Sequence, residues 1–325
     1  GWGVDVMGMS GMTTAWMSED ADMVRAVARQ EKRLATYSYR EIEAQVAERR
    51  IAWYRTMYGE RQRHDTPSPR DAYELLLLEY LGIPLAQVPV VSETEAQIVW
   101  LSSNPCPTLE ACQNLRLDTR VVCRAAYEKS TQALISQLDP RLRFHRNYDE
   151  IRPHALHCVE AISWLSFERM MDIAVEEART SLAEGNKGYG SVVVMGNRVV
   201  AQAHDISQAT ARRGLEDMRI TARAVAGDPS LHAETNAIRQ AARVVGDTDL
   251  CGAVLFSTCE PCPMCASLAV WANVSTIVFG ASIEETARLG CSRIAIGADE
   301  VVARSPALVE VIGGVRREVC LDLYR

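Results

Sequence analysis

The pattern that most limits how this chain can fold is a pair of short stretches. They are His232-Ala233-Glu234 and Pro261-Cys262-Pro263-Met264-Cys265, with 29 residues between His232 and Cys262. The i, i+3 spacing of Cys262 and Cys265 brings both sulfurs to one side of a helical turn. One imidazole and two thiolates suit tetrahedral zinc, and a fourth position left open admits water. The positive end of a helix lowers thiol pKa and favours the thiolates that zinc needs. Pro263 costs little there, because first-turn N–H groups have no partner inside the helix. The alternatives are a closed structural zinc site, for which Cys259 and Cys251 are the nearest extra ligands, and a thioredoxin-type redox pair. A lone C-x-x-C would leave these open; its co-occurrence with His-Ala-Glu argues against them.

The elements around these stretches alternate. From Ser166 an amphipathic helix runs to about Ala183. Two strands follow, Ser191–Met195 and Val199–Ala203, joined by the hairpin signal Gly196-Asn197. A helix is expected from His232 to Val244, a strand over Ala253–Ser257, a helix from Cys262 to Trp271, a strand over Thr276–Phe279 and a helix near Glu284 to Leu289. Two short strands, Arg293–Ile296 and Val309–Ile312, end the chain. This order predicts a mixed-sheet α/β sandwich. The boundary falls near residue 163, giving units 1–163 and 164–325. The first reads as mostly helical α+β. It has a capping box at Ser38-Tyr39-Arg40-Glu41 opening a helix to about Tyr58. A second run goes from Ser68-Pro69 to Leu81, a strand covers Gln97–Leu101, residues 119–138 are helical, and "HALHCVEAISW" alternates like a strand.

With 325 residues, 48% of them hydrophobic and 24% charged, the chain has ample core-building capacity. It has no apolar run of about 18 residues, so no membrane span is expected. Gly1 to Asp5 lack the basic and apolar regions of a signal peptide. With ten cysteines, this points to a cytoplasmic setting in which thiols or ligands outnumber disulfides. Net charge is −7, and from Trp164 onward 20 acidic residues face 16 basic ones, which argues against a nucleic-acid partner.

Three stretches carry a resemblance: "AVEEARTSLAEGNKGYGSVVVMGNRVVAQAHD", "DPSLHAETNAIRQA" and "LFSTCEPCPMCASLAVWANVSTIVFGAS". Residues 164–325 resemble the cytidine deaminase-like superfamily, closest to its guanine deaminase, cytosine deaminase and tRNA adenosine deaminase branch. The H-x-E…P-C-x-x-C order is the signature of zinc deaminases of bases. The resemblance implies a three-layer α/β/α fold, zinc held by His232, Cys262 and Cys265, and Glu234 as the proton shuttle between water, ring nitrogen and departing ammonia. Asp205, His204 and Ala233 are the substrate-binding positions it points to. Asp205 stands where this branch normally has an Asn that hydrogen-bonds the base. A carboxylate only accepts unless it is protonated, so it suits a ring N–H or an amino group rather than a carbonyl. His204 reads equally as a site residue or as a satisfied strand-end histidine. Between Asp205 and Asp228 lie 22 residues, longer than usual for the branch. Arg212, Arg213, Arg219 and Arg223 in that segment read as a solvated helix, or as a lid with an anion contact. Trp271 is expected to pack in the core, and Cys251, Cys259, Cys291 and Cys320 to be plain thiols.

In the first half, Cys106, Cys112, Cys123, His145, His154, His157 and Cys158 could form a second metal or nucleophilic site, but none has C-x-x-C spacing, and buried free cysteines are common. The pattern loosely resembles the L-2-amino-thiazoline-4-carboxylate hydrolase-like domain, which would imply a small-molecule ligand. The expectation for the whole chain is a zinc-dependent aminohydrolase acting on a small amino-heterocycle, and a homodimer. The rivals are a tRNA or single-stranded nucleic-acid deaminase and a non-catalytic zinc-containing ligand-binding protein. Intact Glu234 argues against the last.

Overall fold

The computed structural model describes residues 10–59, 66–207, 228–291 and 294–325. The chain divides into two compact units, Gly1–Ile135 with Arg146–Ile162, and Ser136–His145 with Ser163–Arg325. Gly1 to Asp5, Arg293 and the four arginines between Arg212 and Arg223 lie outside the described residues.

The first half of the chain runs α1 (Ser10–Thr36), α2 (Tyr39–Tyr58), α3 (Pro69–Glu74), β1 (Val90–Thr94), β2 (Gln97–Ser102), α4 (Pro107–Leu115), α5 (Thr119–Ile135), β3 (Leu142–Arg146) and β4 (Cys158–Trp164). Ser38 and Ser68 each close a full capping box, with Glu41 and Asp71, which is why α2 and α3 start where they do. The second helical run continues past α3 as a wider π-helical turn over Leu75–Tyr80. In the first unit α2 packs on α5 through Ile42, Val46 and Ala126. β1 pairs antiparallel with β2. Behind β2 the buried rings of Tyr73 and Trp100 meet edge to face at 5.3 Å.

The rest runs α6 (Phe167–Ala183), β5 (Gly190–Met195), β6 (Arg198–His204), α7 (Ala233–Val245), β7 (Val254–Cys259), α8 (Pro263–Trp271), β8 (Thr276–Ala281), α9 (Ile283–Arg288), α10 (Ala298–Ala303), β9 (Glu310–Ile312) and α11 (Arg317–Leu321). One sheet of order β6-β5-β7-β8-β9 holds this unit together. β5 pairs antiparallel with β6 and β7, whereas β7, β8 and β9 run parallel, so the sheet is mixed. Gly196 and Asn197 both have positive φ, +56° and +59°, as the tight β5–β6 turn requires.

The two-residue period of the strands separates two cores. Val192, Val194, Val254, Phe256 and Val278 pack against α6 and α11. Val193, Leu255 and Ile277 point the other way, against α7 and α8. The result is the three-layer α/β/α sandwich expected from the sequence. At the start of β5 the backbone touches α6: a Cβ on Gly190 would stand 1.9 Å from the Ala174 carbonyl oxygen, so only glycine fits.

Two expectations are corrected. Ile294 to Ile296 form no strand: the Ile296 N–H bonds the Ile294 carbonyl at 2.9 Å, closing a three-residue turn instead of a ladder. Trp271 is not a core residue. It ends α8 and is 77% exposed, because the core-facing positions of that helix are taken by Ala266, Ala269 and Val270.

Candidate active site

The α7/α8 face of the sheet carries the site, because both helices start there. His232 and Cys262 are the N-cap residues of α7 and α8, each with extended backbone, and neither side chain caps its own helix. The N-cap position ordinarily goes to Ser, Thr, Asp or Asn, whose oxygen satisfies a free N–H. Here the two side chains turn toward each other instead. His232 Nδ1 lies 3.6 Å from Cys262 Sγ and 3.5 Å from Cys265 Sγ, and the sulfurs are 3.7 Å apart. Zinc bond lengths to nitrogen and sulfur predict tetrahedral edges of about 3.6 Å for N···S and about 3.8 Å for S···S. The donor set therefore fits zinc in kind and in spacing. Among the described residues, this is the group of metal-ligating side chains that converges on one point.

The protonation of the cluster fits as well. Hydrogen bonds with Cys265 and with His232 pull the Cys262 thiol far down. Cys265, buried beside that thiolate, is held high by the same neighbour. Zinc takes Cys ligands as thiolates, so its binding at this pair would release the proton that they share.

Glu234 is the second residue of α7 and 6% exposed. Burial, and next the negative charge of Cys262, raise its pKa above the usual carboxylate value. Its Oε1 accepts a hydrogen bond from Ser257 Oγ at 3.1 Å. Ser257 reaches Glu234 because it shares the strand face of Leu255, two residues back on β7. The sequence reading missed Ser257, and its only signal was that parity. It also missed Glu260, whose buried carboxylate accepts the backbone N–H of Ile283 at 2.9 Å and of Ala298 at 2.8 Å. These bonds fix the turn between β7 and Cys262.

Asp205 follows β6 and is 1% exposed. Its Oδ1 accepts from the Ser207 N–H at 2.9 Å and the Ser207 hydroxyl at 2.7 Å. Its Oδ2 is buried with no hydrogen-bond partner among the described residues. Its charge is felt at His232, where it is one of several contributions raising the imidazole pKa, led by the hydrogen bond with Cys262. Ala233, fully buried, is the first residue of α7. His204 has both ring nitrogens engaged: Nδ1 lies 2.8 Å from Glu177 and Nε2 3.0 Å from Glu184, two carboxylates at α6 and its C-terminal end. In the first unit His154 pairs with Asp118 at 3.3 Å, and Cys106, Cys123 and Cys158 border one cavity. None of the ten cysteines forms a disulfide.

Residues 164–281 match the family model described as the cytidine and deoxycytidylate deaminase zinc-binding region. Over 153 residues the chain is 31% identical to the tRNA-specific adenosine deaminase of Bacillus subtilis (strain 168), an alignment covering 47% of this chain and 83% of that protein. The chain belongs to the cytidine deaminase-like family. Among other members, the guanine deaminase of Bacillus subtilis (strain 168) is 28% identical over 127 residues, covering 39% of this chain and 71% of that one. A solved tRNA:A34 deaminase superposes with a TM-score of 0.38 at 23% identity, over 48% of this chain and 98% of its own. As the family description states, the matched region is a zinc-binding one, and His232, Cys262 and Cys265 all lie within it. The named relatives are deaminases.

Proposed function

We propose that the cytidine deaminase-like unit hydrolyses the exocyclic amino group of a free nucleobase or related amino-heterocycle, exchanging it for oxygen and releasing ammonia. The observation that carries this reading is Glu234: a buried carboxylate of raised pKa, two residues from His232, held by Ser257. Zinc bound by His232, Cys262 and Cys265 would supply the Lewis acidity that makes water a nucleophile near neutral pH. Glu234 takes the proton released by the attacking water and hands it to the ring nitrogen. It then takes the proton of the new hydroxyl, as the carbonyl forms and the C–N bond breaks, and gives it to the departing amino group, which leaves as ammonia. A raised pKa suits both roles, because neither protonation state is far out of reach. Asp205 supports a substrate that presents a donor: its free Oδ2 would accept from a ring N–H or amino group, and a buried acceptor without a partner is costly.

A second reading, adenosine in tRNA, is supported by the 31%-identical relative. The acidic balance of this chain speaks for the first. The deciding experiment is an ammonia-release screen of the zinc-loaded full chain over purines, pyrimidines, pterins and triazines. It runs beside an assay for inosine in tRNA, with Glu234→Gln as control. Turnover of a free heterocycle that vanishes in Glu234→Gln supports the proposal. Inosine in tRNA without any free-base turnover replaces it with the second reading.

A further inference from the structure

Among the described residues, the first unit contains a buried cation with no carboxylate paired to it. Arg50, on α2, is 8% exposed. Its Nη1 donates to two hydroxyls, Ser130 Oγ at 3.0 Å and Thr131 Oγ1 at 2.8 Å, and its guanidinium lies 5.5 Å from the Tyr80 ring centroid. Its Nε is buried and has no hydrogen-bond partner among the described residues. Among the described residues no carboxylate forms an ion pair with it. A buried charge without a counter-ion costs several kcal/mol, roughly, and evolution seldom leaves one unless something pairs with it.

Arg50 lines a cavity of about 140 Å³, entirely within this unit. Arg146, Arg152 and Glu160 line it as well. Glu160 is already spent. Its Oε1 accepts from Arg146 Nε at 2.8 Å and Nη2 at 2.6 Å, and its Oε2 from Trp100 Nε1 at 3.1 Å and Ser102 Oγ at 2.5 Å. The Nε of Arg152 is a second buried donor with no partner among the described residues. The cysteines on the wall do not offset these charges. Burial raises the Cys106 thiol and pushes Cys123 up to about 12, so both are neutral at physiological pH. Three guanidinium groups therefore face one carboxylate that is fully engaged. Leu76, Leu77, Leu109 and Ile151 give the wall an apolar side, beside the hydroxyls of Thr119 and Thr131 and the Asn104 amide. An adjoining groove of about 550 Å³ shares Arg50 and Arg146 and adds Arg29, Arg33 and Arg49.

We propose that the first unit is a binding site for a small organic anion, whose carboxylate or phosphate is held by Arg50 and Arg152 and whose apolar body fills the cavity. A cavity of about 150 Å³ holds benzene, so the body has about six to ten heavy atoms. Guanidinium groups suit either oxyanion, since their N–H donors match both geometries.

Calorimetric titration of the zinc-loaded full chain tests this, with benzoate and phenyl phosphate as the two anionic probes and benzamide as the neutral isostere. At least one anion binds, and benzamide binds about tenfold more weakly or not at all. Arg50→Met weakens the bound anion by about tenfold to a hundredfold, the usual effect of losing a charged hydrogen bond. The proposal is overturned if neither anion binds, if benzamide binds as well as benzoate, or if Arg50→Met retains wild-type affinity. Should Arg50→Met fail to fold by circular dichroism, Arg152→Gln is judged by the same criterion. Which anion binds more tightly tells carboxylate from phosphate.

Discussion

Ser257 donates its hydroxyl to Glu234 Oε1 across 3.1 Å, linking the central strand of the sheet to the first turn of α7. The bond orients a carboxylate that is 6% exposed, so its loss is expected in turnover rather than in folding. In Ser257→Ala, kcat falls by about tenfold to a hundredfold, the usual worth of a hydrogen bond to a charged group. KM and zinc content stay close to wild type, and Ser257→Thr recovers part of the rate. Equal kcat in Ser257→Ala and wild type would reduce Ser257 to a packing residue.

Zinc content offers a separate check on the cysteines. One equivalent of zinc per full chain is expected. Cys265→Ser should lose it, since the substitution removes a ligand from a site with three protein donors. Cys106→Ser should retain it, because Cys106 lies outside the converging ligand group and its thiol pKa is raised, first by desolvation. Elemental analysis of both variants reads this directly. Zinc lost from Cys106→Ser, or two equivalents in the wild type, would place a metal site in the first unit.

The site was legible in the sequence as far as its chemistry is local. His232, Glu234, Cys262 and Cys265 sit in the first turns of two helices, and each stretch announces a helix start by itself. The hairpin at Gly196-Asn197 was legible because its turn demands positive φ. What sequence could not show depends on registry across elements. Ser257 matters through its strand parity and the position of α7 over it. Glu260 matters because N–H groups 23 and 38 residues away come to it. Arg50 carries no sequence signal of its own, and only packing shows it buried. Ile294 to Ile296 alternate like a strand but close a local turn, since Glu260 holds the Ala298 N–H just beyond.

His204 separates a structural role from a catalytic one. Its pKa is raised, first by the hydrogen bond with Glu177 and also by Glu184, against burial. A raised folded-state pKa means the protonated form is the stabilised one. That stability is fully present below the unfolded value of about 6.5 and is lost as pH rises through the folded value. Glu184 is about half exposed, so the pair contributes about 0.5–1 kcal/mol at most after solvent screening. In His204→Gln the melting temperature should drop by about 1–3 °C at pH 5.5, with little change at pH 9. Activity at pH 7.5 should stay within about twofold of wild type. A large loss of turnover with unchanged melting would return His204 to the substrate site.

Asp205 should set substrate choice. One carboxylate oxygen is held by Ser207 and the other is buried with no partner among the described residues, so a ligand that donates there gains a hydrogen bond. Leaving such an acceptor unpaired costs about 1–3 kcal/mol. Asp205→Asn replaces an acceptor by an amide of the same shape that can also donate. The variant is therefore expected to lose kcat/KM on the native substrate by about tenfold or more, and to gain relative activity on a base that presents a carbonyl, such as guanine or cytosine. Ser207 can still donate to the amide oxygen, so fold and zinc content should be retained. The measurement is kcat/KM for a donor-presenting and a carbonyl-presenting substrate in both proteins. If both values fall together and their ratio holds, Asp205 supports the loop through Ser207 and does not read the base.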